Sequence, residues 1–390
     1  MIEMTANEKY SGTDIRTILA GKGLDGDGAY WRKRIEEVTA DDVGKALAQT
    51  PGFYNPERLV ALVSPAASGY LEEMAQLARQ LTIQRFGKTI RLFAPLYVSN
   101  YCTNSCLYCG FNRHSRFERR RLTVEEAVKE ADIISSGGFT DILLVSGEDR
   151  NFVSVEYLAE LAQSLRNKFS FISMEVYALN RDEYVRLFDA GIEGVTVYQE
   201  TYNSQAYSYY HPAGAKADYD NRLDTADRIA SAGMREVGLG SLLGLTDWRT
   251  ETLALAEHAH YLMKRYWRCH VSFSFPRLRP AHEVERQRFR HLLNDKELVQ
   301  MIVALRLCFA DAGLVLSTRE PARLRDNSVN FGITKISAGS KTNPGGYSGR
   351  SNSGKQFEID DVRSPCQVAS MLKRQGLEPV WKDWDSHFIG

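Results

Sequence analysis

The sequence predicts an α/β fold: a (β/α)8 TIM-type barrel with an N-terminal helical extension and a C-terminal tail. Three observations predict it. From about residue 88, eight short apolar or β-branched runs alternate with longer amphipathic stretches. Such alternation implies right-handed βαβ units in a parallel sheet, and eight of them close a barrel. The polar motifs follow the ends of the strand candidates, which a parallel barrel gathers on one face. Finally, 390 residues accommodate a barrel of about 250 residues with an added segment. A doubly wound open sheet is the runner-up. The expected division is 1–87 for the extension, 88–340 for the barrel, and 341–390 for a loop, a last helix and the tail.

Along the chain, 15–19, 31–38, 43–47 and 70–81 carry helical spacing with polar outer faces. Ser64-Pro65 marks a helix start before Tyr70. The strand candidates are 90–98, 141–145, 171–176, 194–198, 236–239, 271–275, 314–317 and 332–337. Between them, helical spacing covers 124–135, 155–168, 181–190, 219–232, 250–264, 295–310 and 321–326, with a last helix at 365–375. Residues 339–354 are rich in Gly, Ser and Asn and read as a mobile loop.

Composition narrows the function classes. Apolar residues make up 43% of the chain, enough for a sizeable core, so global disorder is excluded. The 49 basic residues balance 49 acidic ones. That argues against a general nucleic-acid binder, whose affinity comes from neutralising phosphates, and against a polybasic membrane anchor. No apolar run is long enough to span a bilayer, and the first ten residues are polar. The expectation is a cytosolic protein.

Six cysteines are too few for a disulfide scaffold, and three of them, Cys102, Cys106 and Cys109, fall within eight residues. Cys269, Cys308 and Cys366 stand alone and read as ordinary residues. The triplet has the spacing C-x3-C-x2-C. Thiolates favour zinc or iron–sulfur clusters. Structural zinc wants four ligands, commonly in two pairs, and no second pair exists here. A [4Fe–4S] cluster normally takes four cysteines, so three leave one iron open to an outside ligand. His114 is an alternative fourth ligand; a plain loop residue is the simpler reading. A cluster with an open iron suits catalysis. A closed one would suit an electron carrier, and a fourth protein ligand a zinc scaffold.

The other polar motifs are Ser146-Gly147-Glu148, Gln199-Glu200-Thr201, the stretch 238–244, Pro276-Arg277-Leu278-Arg279-Pro280, Ser317-Thr318-Arg319-Glu320 and 337–341. With the cysteine loop after the first strand and Tyr108 just before the third cysteine, the chain resembles the radical S-adenosylmethionine (SAM) superfamily. Six further segments make it similar to that superfamily's aromatic amino-acid lyase branch, in particular the tyrosine lyases of thiamine biosynthesis. These are 64–71, 198–202, 274–280, 316–320, 341–347 and 380–385.

The resemblance implies a [4Fe–4S] cluster on Cys102, Cys106 and Cys109, with SAM on the open iron. It implies that Glu148 meets the ammonium of SAM, Glu200 its ribose and Arg222 its carboxylate, that Leu242 in the stretch 240–244 walls the adenine, and that Tyr108 belongs to the cofactor site. Arg319 is the expected anchor of the substrate carboxylate, a planar guanidinium being suited to bidentate recognition. Ser337 and Ser340 are its expected helpers, and Arg277 and Arg279 its competitors. The implied reaction cleaves the Cα–Cβ bond of L-tyrosine to 2-iminoacetate and p-cresol, with methionine and 5′-deoxyadenosine as co-products. Implied partners are a flavodoxin or ferredoxin as electron donor and a thiazole synthase that receives the imine. The rivals are a hydrogenase-maturase-like tyrosine lyase and a tryptophan lyase. The first is demoted because it needs a second cysteine cluster in a C-terminal domain, and here only Cys366 follows.

Overall fold

The computed structural model describes residues 13–349, 351 and 353–381. Eight strands form the barrel: β1 (Thr89–Ser99), β2 (Asp141–Ser146), β3 (Phe171–Glu175), β4 (Gly194–Glu200), β5 (Glu236–Ser241), β6 (His270–Ser274), β7 (Gly313–Leu316) and β8 (Lys335–Ser337). Every neighbouring pair is parallel, and β1 pairs with both β2 and β8, which closes the ring. The strands therefore end on one face, as the motif placement predicts, and the open-sheet alternative is excluded. A ninth strand, β9 (Glu378–Val380), was not anticipated. It runs parallel to the first residues of β1: Arg91 pairs with Lys335 on one side and with Val380 on the other. The Trp381 carbonyl then accepts a hydrogen bond from the Thr140 N–H. Of the tail motif 380–385, residues 382–385 lie outside the described residues.

Helix starts follow from side-chain caps that satisfy the free N–H groups of the first turn. Reciprocal Thr39/Asp42, Thr123/Glu126, Asn180/Glu183, Asn294/Glu297 and Ser364/Gln367 boxes open five of them. The expected helix 219–232 is two shorter ones, Tyr219–Leu223 and Thr225–Ser231. There the Asn221 carbonyl is taken by Thr225 Oγ1 (2.8 Å) and Arg228 Nη2 (2.9 Å), which compete with the backbone ladder. A helix the periodicity missed, Pro56–Val63, is buried from Arg58 to Val63. A helix covered on all sides has no polar stripe to read.

The helical extension shares the barrel's core. One continuous apolar cluster runs from Ile15 through the barrel to Leu372. Pro56–Val63 and Leu71–Phe86 both pack on Asp295–Cys308. Residues 350 and 352 of the expected mobile loop 339–354 lie outside the described residues, and the rest of it is anchored rather than free. Tyr347 donates its N–H to Glu130 Oε2 (2.8 Å) and its hydroxyl to the Pro95 carbonyl (2.8 Å). Ser340, Thr342, Asn343 and Ser353 are buried. Its small polar residues serve hydrogen bonds to neighbouring elements rather than freedom.

Candidate active site

The chain leaves β1 into the cysteine loop and returns along the end of the same strand, where the Leu122 N–H donates to the Val98 carbonyl (2.8 Å). Between these points, backbone carbonyls are gathered by side chains. Arg119 Nη1 donates to the Phe111 carbonyl (2.9 Å) and Asn112 Nδ2 to that of Cys106 (2.9 Å). Gly147, just past β2, backs the loop. A Cβ there would sit 2.2 Å from the Tyr101 carbonyl oxygen and 3.2 Å from Cys102 Cβ, so only glycine fits.

Cys102, Cys106 and Cys109 face one cavity of about 790 Å³. Cys106 is buried and the other two are half-buried. Burial pushes all three thiols up, Cys109 to about 12, so they need a positive partner to act as thiolates. Among the described residues, no three His, Cys, Asp or Glu side chains converge to hold a single metal ion. A mononuclear zinc site needs such convergence. A [4Fe–4S] cluster does not, since each cysteine binds its own iron and the sulfurs ring the cluster. The buried Ser146 hydroxyl lines the same cavity without a hydrogen-bond partner. His114 is an exposed loop residue, 3.4 Å from Ser105 Oγ, and does not line the cavity. The donor set fits a cluster.

Around the cysteines the cavity wall is ionic on one side. Glu148, after β2, accepts from Asn104 Nδ2 (2.9 Å) and pairs with Arg222 Nη1 (3.2 Å). Arg222 Nε also donates to the Tyr198 carbonyl (2.8 Å). Glu200 ends β4 at φ 69°, beside a register shift between Tyr198 and Glu200. That left-handed backbone is costly for a side chain bearing a Cβ and is found where the surroundings impose it. Lys216 holds Glu200 at 2.5 Å. Burial alone would raise the Glu200 carboxyl, but Lys216 and Arg222 together bring it below its ordinary value. Lys216 was not anticipated. It lies in a stretch without helical or strand spacing, and no signal in the sequence marks it.

Next to this ionic side lies an apolar stretch in which Leu278 and Tyr108 pack with Leu242, Tyr210 and Phe289; Lys216 Nζ stands 5.9 Å over the Tyr108 ring. The Tyr108 hydroxyl is 2.7 Å from His211 Nε2, and His211 Nδ1 is 2.7 Å from the Tyr207 carbonyl. A carbonyl only accepts, so Nδ1 carries the proton and the Tyr108 hydroxyl donates to Nε2. Burial holds the imidazole neutral, down to about 3.

A second cavity of about 840 Å³ runs down the barrel axis, lined by Phe93, Leu143, Val315, Ser337 and Ser340 among others. The two cavities share Glu175, Tyr198, Pro276, Arg319, Gln356 and Phe357, and so meet along these residues. Arg319 lies at this seam. Its guanidinium stacks 3.4 Å over the Phe357 ring and donates to the Arg277 carbonyl (3.4 Å), and no described carboxylate pairs with it. Ser337 Oγ accepts from the Thr318 N–H (3.0 Å), whereas Ser340 Oγ is buried without a partner. Arg277 is placed differently. Glu320 and Asp295 grip it, its Nη1 also reaches the Leu293 carbonyl (3.3 Å), and it lines neither cavity. Arg279 lines the first cavity but is tied to Asp360. Glu175, at the end of β3, was missed. Its signal was the same as that of the other motifs, a carboxylate closing a strand candidate.

Residues 96–256 match the radical SAM superfamily, and residues 274–378 match the biotin and thiamin synthesis associated domain. The 2-iminoacetate synthases of Salmonella typhimurium (strain LT2) and Escherichia coli (strain K12) are each 44% identical to this chain. The alignments cover 91% of it and 93% and 94% of those proteins. The chain belongs to the 2-iminoacetate synthase family of radical SAM enzymes. As a family member it is a radical SAM lyase with a [4Fe–4S] cluster and SAM as cofactors. Among solved structures, that of HydG, a maturase of the [FeFe]-hydrogenase, is similar at a TM-score of 0.85 and 33% identity, over 92% of this chain and 80% of that one. Among the described residues no helix is long and apolar enough to cross a membrane.

Proposed function

We propose that this radical SAM lyase cleaves the Cα–Cβ bond of L-tyrosine, giving 2-iminoacetate and p-cresol while SAM yields methionine and 5′-deoxyadenosine. The observation that carries the reading is an unpaired guanidinium, Arg319, at the seam of two adjoining cavities. It belongs to a chain 44% identical to 2-iminoacetate synthases over nine-tenths of its length.

In this reading Cys102, Cys106 and Cys109 hold the cluster. When bound, the cluster and SAM supply hydrogen-abstracting radical chemistry. The protein's own groups orient the reactants and keep water out. The Glu148–Arg222 pair presents one negative and one positive charge on a single wall, complementary to the amino and carboxylate ends of SAM. Glu200, fixed by Lys216, accepts from the ribose hydroxyls. Tyr108 and Leu242 flank the adenine. Arg319 takes the substrate carboxylate, with Ser340 and Ser337 nearby, and the aromatic ring descends into the barrel. Arg279 borders the SAM side of the seam. Arg277 acts indirectly: it fixes Glu320, one residue after Arg319, and its carbonyl accepts from Arg319. A flavodoxin or ferredoxin supplies electrons, a thiazole synthase receives the imine, and the cytoplasm is the compartment.

The test is an anaerobic incubation of reconstituted protein with SAM, a reductant and each aromatic amino acid, read by chromatography. p-Cresol and glyoxylate, the hydrolysis product of the imine, are expected from tyrosine alone. Cleavage of SAM without p-cresol would sink the proposal. The likeness to HydG favours a second reading, a hydrogenase-maturase-like lyase, which release of carbon monoxide and cyanide from tyrosine would establish.

A further inference from the structure

The carboxylates gathered at the catalytic face are engaged, with one exception. Glu148 pairs with Arg222, Glu200 with Lys216, Glu320 with Arg277, and Asp361 with Arg325 and Arg363. Glu175 is the exception. Its carboxylate makes no hydrogen bond or ion pair with any described residue, although it closes a barrel strand and opens on both cavities. Across the seam, Arg319 is likewise without a carboxylate partner. An unpaired anion and an unpaired cation thus face one seam without closing on each other. Leaving either ion half-buried and unmatched is costly, so the arrangement calls for a ligand that carries both charges.

A free α-amino acid carries them on a single carbon. With its carboxylate on Arg319, its amino group faces the remaining charge, and its side chain is left the axial cavity between Phe93, Leu143 and Val315. We infer that Glu175 binds the amino group of the substrate and, with Arg319, selects for a zwitterion. The inference rests on the reading of the chain as an amino-acid lyase and names the recognition within it. The electrostatic setting agrees: burial lifts the Glu175 carboxyl to about 6 against the pull of Arg319, which leaves it ionised at neutral pH. An ammonium beside it would lower it again.

The experiment is anaerobic titration calorimetry on cluster-loaded protein saturated with SAM, the cluster left oxidised so that nothing turns over. The ligands are L-tyrosine and 3-(4-hydroxyphenyl)propanoate, which lacks only the amino group. Glu175→Gln is expected to weaken tyrosine by about tenfold or more, the scale of a charge-assisted hydrogen bond, and to leave the propanoate within about twofold. Arg319→Ala is expected to weaken both ligands. Equal weakening of both by Glu175→Gln, or unchanged tyrosine affinity, overturns the inference. So does a wild-type protein that binds the two ligands equally, a measurement that needs no variant. Wild-type turnover is scored separately. p-Cresol without amino-group dependence removes the role of Glu175 and keeps the lyase; amino-group dependence without p-cresol does the reverse.

Discussion

Each cysteine of the triplet must act as a thiolate inside a wall that disfavours one: Lys216 pulls all three down but burial outweighs it, and bound iron would supply the remaining charge. Cys106 is the most deeply set. Cys106→Ala is expected to abolish 5′-deoxyadenosine formation, measured by chromatography after reduction, while leaving the far-ultraviolet dichroism of the fold unchanged. Wild-type SAM cleavage in that variant would refute the ligand assignment. Arg319 lies farther along, at the seam of the cavities. A guanidinium with no carboxylate partner loses little when removed from the unliganded protein, whereas a bound carboxylate loses a charge-assisted pair of about 2–4 kcal/mol. Arg319→Ala is therefore expected to raise the tyrosine Kd by a factor between about thirty and a thousand, with normal cluster content. Unchanged affinity would move the carboxylate anchor elsewhere along the seam. At this scale the sequence was informative where chemistry needs a fixed spacing, as in the triplet. It was silent on which arginines are already engaged, because Glu320 and Asp295 reach Arg277 only through the fold.

The elements explain why Glu200 can hold its position. Glu251, buried on the helix Trp248–Arg265, collects Thr201 Oγ1 (2.5 Å), Thr246 Oγ1 (2.6 Å), Ser241 Oγ (3.0 Å) and the Tyr202 N–H (3.0 Å). One carboxylate thereby ties the turns after β4 and β5 to a single helix. Burial raises its carboxyl in spite of these four donors. Glu251→Ala would leave several buried donors unpaired, a loss of about 3 kcal/mol, and Glu251→Gln, which keeps most of them, about 1 kcal/mol. Denaturant unfolding of the cluster-free protein measures both. Equal midpoints for the alanine variant and wild type would show that the turns hold themselves. Sequence periodicity placed most barrel strands within a residue or two, because a strand buried on both faces reads as an apolar run. It gave no hint of Glu251, which is one acidic residue in an amphipathic stretch until the fold turns it inward. β9 escaped for a similar reason: three residues carry no period, and β1 alone gives them a partner.

For the molecule as a whole, the barrel was legible because βα alternation belongs to the chain's own pattern, while the enclosed seam was not, because segments far apart build it. The Tyr97 hydroxyl on β1 meets Gln356 Oε1 at 2.7 Å, and the Gly110 N–H of the cysteine loop meets the Gln356 carbonyl at 3.0 Å. No local rule joins those positions. Enclosure has a thermodynamic consequence. His211 and His258 are sealed within the fold, and burial brings each down to about 3, against an ordinary value near 6.5. The unfolded chain therefore binds more protons than the native one throughout that window. Stability is complete above about pH 6.5 and is lost as pH falls toward 3, at about 1.4 kcal/mol per histidine per pH unit. His260 and His270, also lowered by burial, add loss of the same sign. Glu175, raised to about 6, works against them, because its native form takes up a proton first between pH 6 and its ordinary carboxylate range. Burial raises Glu251, Asp224 and Asp227 as well, and the four histidines outweigh these carboxyls on the acid side. Unfolding free energy measured by denaturant titration is expected to drop by about 2–4 kcal/mol between pH 6.5 and 5. His258→Phe removes one titrating ring that meets only Tyr202, at 2.9 Å. It should flatten the slope by about 1.4 kcal/mol per unit whatever its effect on absolute stability, and an unchanged slope would mean that this histidine is not buried neutral.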